Sequence, residues 1–156
     1  MKVVDLPLLV ARVERHRSRG HLVVFTNGCF DILHVGHLRT LQTARAQGDV
    51  LVVGINSDAS VKLLKGEGRP VNTQADRAEL LAGLACVDYV VVFDEATPVE
   101  LIGVLRPEVH VKGGDYQINT LPEAALVQSY GGRVHLTGTV PGRSTTAILH
   151  AADRSQ

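Results

Sequence analysis

TNGCFDILHVGHL, residues 26–38, places two histidines three apart around one glycine, directly after the apolar run HLVVFT (21–26). A short apolar run bounded by polar turn residues reads as a buried strand, and HVGHLRTLQTARAQG (34–48) reads as the helix that follows, with Gly48 as its stop. At such a strand-to-helix junction the first amides of the helix have no internal partner, and the helix dipole favours an anion there. His34 and His37 fall on one side of the helix start, and Gly36 between them lets a ligand approach the backbone. The bland reading is that one histidine caps the helix and the other lies on the surface. The sharper one is a phosphate-handling site. A zinc set of Cys29, Asp31, His34 and His37 competes with both, although its spacing is not a standard one.

Outward from this junction, strands and helices alternate. DVLVVGIN (49–56), DYVVVF (88–93), EVHVKG (108–113) and RVHLTG (133–138) are four more strand candidates. Between them lie a helix over 73–85 with a Thr73 cap, a helix opened by Thr97 as N-cap and Pro98 at its first position, a helix within 121–132, and a last one from Ser144. Leu6, Leu9, Val10 and Val13 recur at helical spacing and predict an amphipathic N-terminal helix. Alternation with short connections predicts an α/β fold: a single-domain, doubly wound (Rossmann-like), parallel five-stranded sheet with helices on both faces. With no repeat and no linker-like stretch, one domain is expected over 1–156, an N-terminal helix in 1–20 and a core in 21–150.

Ligands of such sheets bind at the carboxyl ends of the strands. The unusual polar segments do follow strands: 27–37, 56–65, 112–116 and 138–146. VKGGDY (111–116) offers Lys112 to a phosphate, Gly113 and Gly114 for close approach, and Asp115 to a sugar hydroxyl or base edge. GRSTTAILHAAD (142–153) offers Arg143, the cap Ser144 and the hydroxyls of Thr145 and Thr146. Its plain alternative is a terminal helix whose Ala147, Ile148 and Ala151 pack on the sheet. LLKGEGRPV (63–71) brings Lys65 and Arg69 on a loop otherwise readable as solvated charge.

Composition limits the partners. The 156 residues carry 16 Lys and Arg against 16 Asp and Glu, so the formal net charge is zero and a general nucleic-acid binder is disfavoured. Two cysteines make neither a disulfide framework nor a four-ligand metal site, which points to a reduced, cytoplasmic setting. Asp5 and Pro7 interrupt the first apolar run, no cleavage site follows, and no run of about 18 apolar residues could span a membrane. G-x-S-x-G and the Walker pattern are absent, and Cys29 as a nucleophile rests only on its place near a helix start.

Together, these segments resemble a known family. GCFDILHVGH (28–37) resembles the signature of the cytidylyltransferase-like nucleotidyltransferases, H-x-G-H after the first strand, and GRSTT (142–146) resembles their second signature. TNGCFDILHVGH, NSDAS (56–60), LKGEGRPVN (64–72), VKGGDY and STT occur in the order seen in the adenylyltransferase domain of bacterial ADP-heptose enzymes. The resemblance implies transfer of AMP from ATP to D-glycero-β-D-manno-heptose 1-phosphate, with magnesium arriving on the triphosphate. The partners implied are a sugar phosphate and a nucleoside triphosphate, with no nucleic acid and no membrane; a homodimer is also implied. Many relatives are fused to a sugar kinase, so this chain resembles a stand-alone version. Glycerol 3-phosphate with CTP, FMN adenylylation, and a nucleotide-binding subunit without turnover are the alternatives.

By the same resemblance His34 and His37 hold the triphosphate and Lys65 stabilises the transition state. Asn27, Gly28, Cys29 and Phe30 form the floor, and Gly36 lies between the histidines. Lys112, Gly113 and Asp115 reach nucleotide or sugar, and Arg143, Ser144, Thr145 and Thr146 hold β and γ phosphates. Asp31, Arg69 and Tyr116 face the acceptor, Asp31 near acceptor or metal. One departure stands out: where several members carry an arginine three residues after the last motif threonine, this chain has Leu149.

Overall fold

A computed structural model describes residues 1–138 and 144–154. Five strands, β1 (Val23–Gly28), β2 (Val50–Asn56), β3 (Tyr89–Phe93), β4 (Val109–Gly113) and β5 (Arg133–Gly138), form one sheet in the order β3-β2-β1-β4-β5. Each neighbouring pair is parallel. The helices are α1 (Leu6–Ser18), α2 (Val35–Arg45), α3 (Asp58–Lys65), α4 (Gln74–Ala82), α5 (Val99–Leu105), α6 (Ala124–Ser129) and α7 (Thr145–Arg154), with a 3-10 turn over Ile118–Thr120.

Side chains alternate across a strand, and here both faces are apolar. Val24, Leu51, Val53 and Ile55 meet Leu41 and Ala44 of α2 and Ala78 and Leu81 of α4. Val23, Phe25 and Val52 meet Leu9 and Val13 of α1, Leu101, Ile102 and Leu105 of α5, and Val127 of α6. The doubly wound α/β architecture expected from the alternation is the one found. The sheet's order reverses direction between β1 and β4. These two strands pair only at Val24↔Val109 and Phe25↔His110. β1 pairs with β2 over its whole length. Beyond Phe25 and His110 the carboxyl halves of β1 and β4 therefore part, and a crevice opens at the topological switch point.

Local chemistry explains most element boundaries. Asp5 caps α1 by accepting from the Leu8 amide, Ser57 caps α3 through the Ser60 amide, and Thr73 caps α4 through the Asp76 amide. Three expectations are corrected. Thr97 is not the cap of α5: Pro98 occupies that position and no side chain bonds the helix start. Gly48 is not the stop of α2, which ends at Arg45. Its role is packing, since a Cβ there would sit 2.7 Å from Val24 Cγ2 and 2.9 Å from the Leu22 carbonyl oxygen. The helix expected over 73–85 ends at Ala82, and Ala85 lies beyond it, exposed.

Gly54, in the middle of β2, is held to zero side chain: a Cβ would lie 2.9 Å from Phe25 Cζ and 3.2 Å from Leu101 Cδ2. Gly54→Ala is expected to lose about 1–3 kcal/mol of stability by overpacking, read as a lower urea midpoint with an unchanged slope.

Candidate active site

The crevice is a cavity of about 530 Å³. Its floor is the end of β1 and the following loop, Asn27, Gly28, Cys29, Phe30 and Asp31. His34, Gly36 and His37 of the α2 start form one wall, with Lys65 and Arg69 beside them. Lys112 and Gly113 of β4 and then Tyr116 form another, and Ser144, Thr145 and Thr146 close the rim. Asp115 does not line the cavity; it is exposed to solvent. Arg143 lies outside the described residues.

The plain reading holds for His34 as a helix cap, and His34 also lines the cavity. It is the N-cap of α2: its Nδ1 accepts from the Gly36 amide at 3.1 Å. The neutral ring therefore carries its proton on Nε2, as a donor. The His34 and His37 rings stack, with centroids 3.8 Å apart and planes 24° apart. Phe30 backs His37, with ring centroids 5.0 Å apart. Phe30 takes a positive φ of 48°, and its ring fills the space above Gly28, where a Cβ would meet Phe30 Cε2 at 3.0 Å. Gly28 is thus required by the aromatic support of His37. Burial, reinforced by neighbouring His34, pushes the His37 pKa down to about 4, so the ring is neutral near pH 7. His37 Nδ1 and Asn27 Oδ1 are buried and find no hydrogen-bond partner among the described residues. Such groups carry a desolvation cost that a ligand could relieve.

Two charged side chains fix the loops around the cavity. Arg77 of α4 is completely buried. It donates to the carbonyl oxygens of Cys29 (2.8 Å), Asn56 (2.7 Å) and Asn72 (3.0 Å), and pairs with Asp58 at 2.9 Å. Asp31, 1% exposed, accepts from Arg69 Nε at 2.7 Å and from the amides of Val71 and Asn72 at 2.9 Å. Each of its oxygens takes two bonds. Asp31 lines the cavity floor and at the same time clamps the 69–72 loop. Burial alone would raise its carboxyl, but the Asn72 and Val71 amides and Arg69 outweigh that and hold it below the ordinary range.

The second signature meets the first. Thr145 Oγ1 donates to the Ile32 carbonyl at 3.2 Å, and Ser144 Oγ accepts from the Ala147 amide at 3.0 Å. None of the described α7 residues is buried, and Ile148 is 38% exposed. The helix is tied at its start rather than packed on the sheet through Ala147, Ile148 and Ala151. Cys29 bonds Asn56 Oδ1 at 3.8 Å, and burial raises its thiol pKa, which disfavours a nucleophilic thiolate. Among the described residues, no group of three or more His, Cys, Asp and Glu side chains could hold a metal ion, so the zinc reading finds no support. Sequence reasoning missed Thr26, Thr40 and Ala96 in the lining, and it reached Asn56, Leu64 and Gly138 only as members of the segments that follow strands. Thr40, one turn after His37, and Asn56, at the end of β2, were recoverable from helix period and strand end; Ala96 carried no signal.

Two pH effects follow. The folded pKa of Asp31 lies below its ordinary 3.8, so its stabilisation is full above that value and is lost as pH falls through the folded pKa. Asp31→Asn is expected to cost about 1–3 kcal/mol near pH 7 and to remove part of the acid dependence of the urea midpoint. For His37 the unfolded ring, at 6.5, takes a proton before the folded one, so stability declines as pH falls from 6.5 towards about 4. Imidazole NMR is expected to give a His37 midpoint near 4 in the free protein.

A family model described as cytidylyltransferase-like matches residues 25–148. The bifunctional protein HldE of Syntrophotalea carbinolica is 60% identical over 137 residues, 88% of this chain and 28% of that protein. The bifunctional protein HldE of Geobacter sulfurreducens is 56% identical over 148 residues, 95% of this chain and 30% of that protein. The chain thus spans less than a third of the length of these curated relatives. A lipopolysaccharide core biosynthesis protein from Thermoplasma volcanium superposes with a TM-score of 0.61 at 26% identity, covering 78% of this chain and 98% of that one. With the H-x-G-H junction and the late helix tip on one crevice of a parallel sheet, and the family match running across both, the chain belongs to the cytidylyltransferase-like family and is a nucleotidyltransferase.

Proposed function

We propose that the chain is an adenylyltransferase acting on a sugar 1-phosphate: it transfers AMP from ATP to D-glycero-β-D-manno-heptose 1-phosphate and releases pyrophosphate. The observation that carries this reading is the Thr145–Ile32 bond, which joins the two signatures around one cavity. The segment order and the similarity to two HldE proteins favour the heptose acceptor. Residues 1–156 act in this reading as one catalytic domain, as a cytoplasmic homodimer.

An acceptor phosphate oxygen attacks the α-phosphorus in line with the departing pyrophosphate. That oxygen is already ionised at neutral pH, so no general base is required. The task left to the protein is to align two anions and to stabilise charge moving onto pyrophosphate. His34 donates from Nε2, while His37, neutral in the free site, gains a proton affinity when an anion replaces water beside it. Lys65 ends α3 and makes no ion pair among the described residues, so its charge is available to the transition state. Ser144, Thr145 and Thr146 and the amides of the α7 start receive the β and γ phosphates; with Leu149 in place of the family arginine, backbone and hydroxyls take a larger share. Lys112 and Gly113 meet the nucleotide, and Arg69 and Tyr116 the acceptor.

The described residues do not fit a protein-held magnesium, because Asp31 is saturated and no other cluster among them could hold a metal ion. A metal in this reading rides on phosphate oxygens and water.

Mass spectrometry of products from ATP and heptose 1-phosphate tests the assignment: ADP-heptose is expected. Pyrophosphate release only with CTP and glycerol 3-phosphate, or only with FMN, would transfer the site to those acceptors. Lys65→Ala is expected to lose a hundredfold or more in turnover, about 3–4 kcal/mol, and His37→Ala most of its turnover, both with unchanged melting. Near-normal rates in both would remove this mechanism.

A further inference from the structure

The mechanism above gives no role to Asn56, which lines the cavity at the end of β2 and is 4% exposed. Its Nδ2 lies 3.0 Å from Ser60 Oγ and 3.4 Å from the Glu95 carbonyl oxygen, and Ser60 Oγ donates to that same carbonyl at 3.2 Å. A hydroxyl has one hydrogen, and a carbonyl can only accept. With that hydrogen directed to Glu95, Ser60 Oγ is left to accept from Asn56. The amide nitrogen therefore faces α3 and the loop after β3. Turning the amide over would bring its oxygen to 3.4 Å from another carbonyl oxygen, with no hydrogen between them.

What Asn56 can still bond is thereby one-sided. Both amide hydrogens have partners, and the main-chain oxygen accepts from Arg77 at 2.7 Å. Oδ1 receives only the thiol of Cys29, at 3.8 Å, a weak donor. A carbonyl oxygen has two lone pairs, so Oδ1 accepts again, and the side chain has no hydrogen left to give. Such an oxygen repels a phosphate, which presents acceptors, and attracts a hydroxyl. A second acceptor stands on the neighbouring strand. Asn27 pairs with Gly54, two residues before Asn56, so by strand alternation Asn27 and Asn56 share one face of the sheet. Asn27 also lines the cavity, and its buried Oδ1 finds no partner among the described residues. The sheet order puts β4 on one side of β1 and β2 on the other. With the nucleotide against Lys112 and Gly113 of β4, the β2 side is left to the acceptor substrate.

We infer that Asn56 is a specificity-determining residue: its amide, held by Ser60 and the Glu95 carbonyl, presents a fixed hydrogen-bond acceptor that selects a hydroxyl-bearing phosphate, a sugar or polyol phosphate, as the substrate that receives the nucleotidyl group. The inference rests on the reading that the nucleotide occupies the β4 side.

The test uses the full chain and follows affinity by calorimetry with a nonhydrolysable ATP analogue in place. For the parent, one monodeoxy analogue of heptose 1-phosphate is expected to bind about tenfold more weakly than the sugar itself. Its deoxyfluoro counterpart is expected to bind no better, because fluorine cannot donate. In Asn56→Ala, heptose 1-phosphate is expected to weaken by the same factor and that deoxy analogue to show no further loss, while affinity for the ATP analogue stays unchanged. Ser60 does not line the cavity. Ser60→Ala releases the amide to turn over and is expected to narrow the preference for the hydroxyl, which keeps the test decisive if Asn56→Ala fails to fold. Deoxy losses that simply add to the Asn56→Ala loss would overturn the inference, as would an unchanged preference in Ser60→Ala. A loss confined to the ATP analogue would overturn it too, by giving Asn56 to the ribose. If the parent binds heptose 1-phosphate but forms no ADP-heptose, the proposed reaction fails and these affinities still decide the hydroxyl claim. If it binds glycerol 3-phosphate instead, comparison with 3-hydroxypropyl phosphate, which lacks the middle hydroxyl, takes their place. A parent that binds neither phosphate would overturn the inference.

Discussion

The guanidinium of Arg77 is the point on which the site's geometry turns. A cation with no exposed surface costs several kcal/mol in lost hydration unless every donor finds an acceptor. Here the acceptors are the Asp58 carboxylate and three backbone carbonyls, from Cys29 after β1, Asn56 at the end of β2, and Asn72 before α4. Each loop supplies an oxygen that would otherwise be an orphan beside an apolar core. The arrangement therefore repays itself only when all three loops are in place at once. Asp31 repeats the logic with opposite sign, using one carboxylate to collect Arg69 and two amides. The chain spends buried charge on loop placement, and the groups that line the cavity inherit a fixed frame.

That frame lets a chain of zero net charge hold polyanions. The attraction does not come from a broad positive field. It comes from a few donors whose orientation is fixed before the ligand arrives, the condition under which electrostatic stabilisation counts most. The stacked imidazoles fit this economy. Two cations at 3.8 Å would repel strongly, and burial has already pushed His37 to its neutral form. The site begins with one hydrogen-bond donor from each ring in place of two charges, so it does not have to be held closed against its own repulsion.

The sequence was most readable where local chemistry and tertiary structure agree. The five strands appear within two residues of their expected limits, and for β1 and β2 the reason is that apolar runs in a parallel sheet are buried on both faces and so have sharp ends. The junction around His34 was legible for the same reason: strand, turn and helix start are each written in short-range residue choice. Where tertiary contacts rule, the reading failed. The Asp31 clamp was not legible, because nothing local announces a partner in Arg69 thirty-eight residues away. Gly48 looked like a helix stop because glycine often is one, whereas its need is set by Val24 and Leu22 of the neighbouring strand. The apolar spacing of α7 implied a packed helix, yet spacing cannot say whether a surface exists to receive it. Asn56 was reached only as the first residue of a segment after β2 and Thr40 not at all, because a lone amide or hydroxyl carries no pattern.

The parting of β1 and β4 carries one more consequence. Past Phe25 and His110 the β1 edge that faces β4 has no ladder partner among the described residues, while its other edge stays zipped to β2. The fork thus sets peptide groups of β1, and not side chains alone, beside the cavity. A side-chain replacement cannot delete a peptide dipole, so that part of the lining keeps its polarity when the residues around it change.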